Sequence, residues 1–188
     1  LVVYMGLSFA LSTSSDPAFG ALAQLPPREG VTVAAATPPP PPRPRPGFLA
    51  PEIAQGLVSV QETDQRIVVT IRATGMFASG SATVEPRYVD LLKRIGDEIE
   101  KEKETGKVLV LGHTDNVPIR TLKFPSNFEL SLARAKAAAA VLGTHIVKSD
   151  RVSAEGRADA DPVQPNTTPA GREANRRIEI VIIKGPKA

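Results

Sequence analysis

Asp115 and Arg134 carry opposite charges at neutral pH, and the residues between them read as a loop followed by a capped helix start. Residues 108–111, VLVL, form a continuous apolar run, as expected of a strand buried on both faces. Gly112 ends the run. His113, Thr114, Asp115 and Asn116 then set polar side chains at the strand's carboxyl end. Ser126 and Glu129 have capping-box spacing, so a helix begins there. Phe128, Leu132, Ala135, Ala139 and Leu142 recur at 4-3-4-3 spacing and are expected to form its buried stripe. Asn127, Ser131 and Arg134 share a different face near the helix start. A carboxylate and a guanidinium are thus brought to one end of a strand–helix unit. That pairing suits a ligand carrying both signs. An α-ammonium can sit on Asp115, and an α-carboxylate can take two parallel hydrogen bonds from the planar guanidinium of Arg134. The other reading is an ordinary surface salt bridge that orders the loop, and spacing alone leaves both open.

The residue identities add a resemblance. Phe77 with Gly80 in MFASGSA, Gly112-His113-Thr114-Asp115, Asn127, Leu130-Ser131, Arg134-Ala135, Gly156, Pro162, Asn166, Arg172 and Asn175-Arg176-Arg177 follow one another in a recognisable order. In that order they resemble the OmpA/MotB peptidoglycan-binding domain, over residues 51–184. The resemblance implies that Asp115 and Arg134 hold the free amino-acid end of diaminopimelate in the peptidoglycan stem peptide. It also implies that Thr114, Asn127, Asn175 and Arg176, with Arg177 beside them, line the same pocket. One departure is the segment 117–125. It is longer than in the outer-membrane porin type and looks like the version in MotB-like and type VI secretion proteins.

Composition narrows the alternatives. The chain has 188 residues and net charge +3, enough for one good core plus appendages. With no cysteine there is neither a disulfide scaffold nor a thiolate metal site, which fits the periplasm without requiring it. The basic excess is small and dispersed, and two tyrosines with no tryptophan offer little for base stacking, so nucleic acid is not an expected partner. An anionic cell wall matches that charge equally well.

The chain opens on the apolar residues LVVYMGLSFAL, about half of the roughly 20 that a bilayer span needs. Residues 1–14 are read as the outer end of a truncated transmembrane helix. From 12 to 27 there is no lysine or arginine, the pattern of a flank on the far side of the membrane. The segment LSTSSDPAFGALAQLP resembles the exit from the single membrane helix of the TssL (DotU/IcmH-type) family of type VI secretion proteins, some of which carry an OmpA-like extension. A short helix over 17–25 is expected there. Residues 15–50 form a periplasmic linker. Within it, 26–46 holds half of the chain's 18 prolines, with an unbroken run at 38–42. Such a segment stays extended, and at about 3.1 Å per residue its twenty or so residues reach roughly 60 Å.

The domain itself is expected over 51–188. A short helix at 51–55 precedes a hairpin of strands 57–61 and 66–72. Phe77 plugs the core and secondarily walls the pocket. A helix opens at Glu85-Pro86, buries Tyr88, Leu91, Leu92, Ile95 and Ile99, and stops at Gly106. Strand 151–155 turns at Gly156, and a short helix over 169–175 leads to a closing strand, 177–183, with Ile178, Ile180 and Ile182 on one face. The predicted class is α+β: an OmpA-C-like mixed four-stranded sheet with helices packed on one face.

Catalysis is not expected. His113 and His145 are the only histidines and lack metal-protease spacing, and Ser131 has no positioned base. His113 is expected to hydrogen-bond at the strand end and shape the loop. Asp159, Asp161 and Asn166 lack the glycine and bidentate glutamate of a calcium loop, so no metal or other cofactor is expected. The function expected is non-catalytic peptidoglycan binding by the periplasmic domain of a single-pass inner-membrane protein, anchoring a type VI secretion complex to the wall. Expected partners are the stem peptide, other inner-membrane secretion subunits and the membrane; homo-oligomerisation is left open. A protein–protein module using the same pocket, or a flagellar-stator-type wall anchor, are the other readings.

Overall fold

The computed structural model of the chain describes residues 49–102 and 105–185. The expected membrane-helix end, the helix over 17–25 and the proline-rich linker up to 48 lie outside the described residues.

Helix α1 (Ala50–Ala54) enters strand β1 (Val58–Glu62), which turns back into β2 (Arg66–Arg72). The turn is closed locally. Thr63 donates its backbone N–H to Arg66 O (2.8 Å), and Thr63 Oγ1 accepts from Arg66 N (3.2 Å). Helix α2 (Pro86–Lys101) carries proline in its first turn, where the missing amide would lack a partner anyway. It leads to β3 (Thr105–His113). Helix α3 (Asn127–Gly143), a 3-10 turn (Ser149–Arg151), β4 (Val152–Ala158), α4 (Pro169–Asn175) and β5 (Arg177–Lys184) complete the order. The strands form one sheet in the order β1-β2-β5-β3-β4, antiparallel throughout except for the parallel β3–β4 pair.

The mixed sheet and α+β class are as expected, but the sheet has five strands rather than four. Strand β1 belongs to it because Val58 and Val60 pair with Ile71 and Val69 and point into the same core. A strand burying its alternate residues on that face is an integral edge of the sheet. The core lies between this face and the helices. Ile67, Val69, Ile71, Val108, Val110, Ile178, Ile180 and Ile182 meet the full expected stripe of α2, Tyr88, Leu91, Leu92, Ile95 and Ile99. At about 25 cal/mol per Å² of apolar area, such residues supply most of the drive to fold. Glu52 of α1, almost wholly buried, pairs with Arg94 Nη1 (2.5 Å) and ties α1 to α2.

Helix α3 packs differently from its predicted stripe. Phe128 is 50% exposed, Leu132 and Ala139 are half-buried, and the buried residues are Leu130, Ser131, Arg134, Ala135, Ala138 and Leu142. The cause is steric. A Cβ on Gly112 of β3 would collide with the Ser131 carbonyl, and one on Gly156 of β4 would lie 2.7 Å from Ser131 Oγ and 2.8 Å from Leu132 N. Two bare backbone positions therefore let the helix sit on the sheet, and Ser131 is small enough to be the point of contact. Ser131 satisfies its hydroxyl there, donating to Phe128 O (2.8 Å) and accepting from Ala158 N (3.1 Å). Counting apolar residues cannot find this contact, because a serine and two glycines make it. For the same reason Gly156 lies within β4 rather than turning the chain. The turn follows Ala158, at φ 48°. Gly106 likewise lies in β3, and α2 ends at Lys101.

Gly112→Ala should destabilise the fold by about 1–3 kcal/mol, toward the upper end because the obstacle is backbone. Ile183→Ala on the opposite, 42% exposed face should cost less than about 1 kcal/mol. Urea unfolding followed by circular dichroism measures both.

Candidate functional site

The site forms where β3 ends and α3 begins. Thr114 N donates to Ala158 O (2.8 Å), so the chain leaves the sheet still tied to its parallel neighbour. The Thr114 hydroxyl donates to Asp115 O (2.9 Å). Asp115 Oδ1 accepts from Val117 N (3.1 Å), the local turn that aspartate favours. Asn127, at the first turn of α3, then pins the loop. Its Nδ2 donates to Asp115 O (3.2 Å) and Val117 O (3.0 Å), and its Oδ1 accepts from Ile119 N (3.2 Å). The helix start is stabilised by Ser126 Oγ, which accepts from Phe128 N (3.2 Å) while its hydroxyl donates to the Glu129 carboxylate. That hydroxyl holds the Glu129 carboxyl below its ordinary range.

Arg134 lies two turns into α3 and is 6% exposed. Its Nε donates to Ser81 O (2.8 Å) and its Nη2 to Ala78 O (3.3 Å), and the guanidinium lies 5.0 Å from the centre of the Phe77 ring. Two carbonyl dipoles and a π-face offset the burial of a cation. Burial and then the Arg176 cation weaken its hold on its proton, and Asp115 opposes them. Arg134 Nη1 has no hydrogen-bond partner among the described residues. Arg176, just past α4, donates from Nη1 to Asp115 Oδ2 (2.5 Å).

These groups open into one cavity of about 550 Å³, lined by Phe77, Thr114, Asp115, Asn127, Arg134 and Arg176 among others. Arg172 also lines it and donates to Asn166 O (2.9 Å), so one carboxylate faces three guanidiniums. Five of the six residues singled out from sequence thus share a wall. Asn175 does not line the cavity. It is fully buried and holds the loop before α4, accepting from Val163 N (2.8 Å) and Gln164 N (3.0 Å) and donating to Gln164 O (2.7 Å) and Asn166 Oδ1 (2.8 Å). Arg177 is likewise buried and structural, donating to Glu179 Oε1 (2.6 Å) and Asp161 O (3.0 Å). Sequence reasoning did not single out the carbonyls of Ala78 and Ser81. They are backbone atoms, and only the unusual MFASGSA loop hinted at them.

His113 does not make the hydrogen bond expected of it. Both ring nitrogens are buried without a hydrogen-bond partner among the described residues, and Glu179 Oε2 is 3.8 Å from Nε2. Arg177 competes for that carboxylate at closer range. Burial, and secondly the Arg177 cation, push the His113 pKa down; Glu179 and Asp161 pull it up less.

The OmpA family profile matches residues 76–176. Among solved structures, the cell wall anchor of the T6SS from Pseudomonas aeruginosa is 47% identical, with a TM-score of 0.69, over 76% of this chain and 99% of that one. Motility protein B of Bacillus subtilis is 31% identical over 72% of this chain and 52% of its own length. Peptidoglycan-binding protein ArfA of Mycobacterium tuberculosis is 33% identical over 56% of this chain and 31% of its own. The chain thus spans about half or less of the length of these curated relatives.

The lowered pKa of His113 sets a pH dependence. The unfolded chain binds the proton more tightly than the folded one. The stability contribution is therefore complete above the ordinary value of about 6.5 and is lost as pH falls below it toward the folded pKa. The stability difference between the native protein and His113→Gln should shift against the native protein by up to about 1.4 kcal/mol per pH unit below 6.5. Urea titrations from pH 7.5 to 5 measure the slope, and a flat difference contradicts it.

Proposed function

Because this chain belongs to the OmpA family, we propose that its domain grips the peptidoglycan stem peptide and anchors an envelope complex to the cell wall. The wall anchors of this kind that it resembles are non-catalytic, and the task is retention rather than turnover. The observation that carries the reading is the cavity itself, where Asp115 and Arg134 face the same space.

The chemistry follows from how each charge is held. Arg134 is fixed by Ser81 O and Ala78 O on its Nε and Nη2, leaving Nη1 and the second Nη2 hydrogen to meet a carboxylate. Asp115 is fixed by Val117 N through Oδ1, and its Oδ2, which accepts from Arg176 Nη1, is the oxygen an ammonium would take. A zwitterionic amino-acid end fits both at once. In peptidoglycan that end is supplied by the free ε-centre of diaminopimelate, which supports diaminopimelate as the moiety bound. Asn127 acts by fixing the loop backbone, and Thr114 by holding Asp115 at the strand end. The likeness to the solved chain of the T6SS cell wall anchor, 99% of which is covered, supports a periplasmic place in an inner-membrane type VI secretion complex. A single small contact of this kind is weak, and repeated copies in an assembly raise retention through effective concentration.

Pull-down of purified sacculi tests the proposal. Asp115→Asn should abolish retention, and Arg134→Lys should weaken it because an ammonium lacks the planar fork. Arg134→Ala should cost on the order of 2–4 kcal/mol. Free meso-diaminopimelate should release the bound native protein. Undiminished sacculus binding by both Asp115→Asn and Arg134→Lys would refute the reading. Release by competing envelope proteins but not by the free amino acid would assign the cavity to a protein terminus.

A further inference from the structure

Two of the cavity arginines, Arg134 and Arg176, are held in opposite ways. Arg134 is 6% exposed and tied to two backbone carbonyls and an aromatic face. Among the described residues Arg176 makes one side-chain hydrogen bond, to Asp115 Oδ2 at 2.5 Å, and its side chain is 36% exposed. The Asp115 side chain beneath it is only 11% exposed. One carboxylate oxygen is therefore engaged by a backbone amide, the other is covered by a guanidinium, and little of the group remains open to solvent.

From this geometry we infer that Arg176 is an internal stand-in for the ligand's ammonium, which must evict it from Asp115 to bind. The inference rests on the ammonium-on-Asp115 reading above. An entering ammonium finds Oδ2 occupied, so binding exchanges one cation for another rather than adding an ion pair. The exchange makes the pocket selective. A bare amine gains only what it displaces, because it brings nothing for Arg134. A zwitterion places its carboxylate on the fixed Arg134 as its ammonium takes Asp115, and that second contact drives the exchange. Released Arg176 remains tethered at the rim, with its backbone carbonyl still accepting from Ala73 N (2.9 Å), so eviction leaves the fold intact.

The sign of one substitution separates this role from that of an ordinary ligand contact. Isothermal titration of the folded domain with meso-diaminopimelate should give about two- to fivefold tighter binding for Arg176→Gln than for the native protein, the range expected for loss of a part-exposed ion pair. Titration with 1,5-diaminopentane, a bare diamine, should show at least as large a relative gain, because it displaces the same cation and brings no carboxylate for Arg176 to attract, and Arg176→Lys should stay near native because a competing cation remains. Weaker or unchanged binding of meso-diaminopimelate by Arg176→Gln overturns the stand-in role while leaving the parent reading intact. Absence of meso-diaminopimelate binding by the native protein overturns the parent reading, and the stand-in with it. Amide spectra recorded before titration establish that each variant is folded.

Discussion

The close seating of α3 on the sheet decides where every charge in the cavity can stand. At Gly112 and Gly156 the strand backbone has no side chain between it and the turn of helix around Ser131. Asp115 follows the same β3 strand out of the sheet, and Arg134 follows Ser131 along the same helix by less than one turn. The spacing between acid and base is therefore set by backbone contact, which yields far less than two flexible side chains meeting at a surface. Ser131 is the one polar residue at that contact, and its hydroxyl serves Phe128 O and Ala158 N without needing water.

Much of the fold was legible because its elements obey simple periods. The stripe of α2 follows a helical repeat and is buried throughout, and Ile178, Ile180 and Ile182 alternate as a half-buried strand should. The stripe of α3 was not legible. Phe128 and Leu132 are more apolar than Ser131 and Arg134, and pattern reading ranks burial by hydrophobicity. Here a steric fit between small groups outranks it, and Phe128 is left half in solvent. Within the site, Asp115, Arg134 and Asn127 could be read from motif order, but the division of labour could not. Asn175 stands beside Arg176 in sequence, yet it holds a loop while its neighbour faces the cavity. His113 shows the converse difficulty. It was expected to hydrogen-bond at the strand end, but the nearest carboxylate, Glu179, is held by Arg177.

The cavity also shows how a chain keeps a cation in a largely enclosed position. Arg134 is stabilised by dipoles and a ring face rather than by a dedicated carboxylate. Neutralising it with a permanent acid would leave it unable to receive another anion. Carbonyl oxygens satisfy donors while leaving the net charge in place, so the site stays attractive to negative groups.

The tie between Glu52 and Arg94 has a mechanical meaning. Tension applied to the backbone ahead of Leu49 would reach the sheet at β1, its outermost strand. Edge strands can be peeled one rung at a time, each bond bearing the whole load in turn. The Glu52 carboxylate, shielded from solvent and clasped by Arg94, offers a parallel route for that load through α1 into the long helix α2 and the body of the core. Resistance to pulling is governed by the rate of the first rupture rather than by total folding free energy. The pair that would take this load joins the buried Glu52 carboxylate to a largely exposed Arg94 guanidinium, at the entry to the domain and ahead of β1.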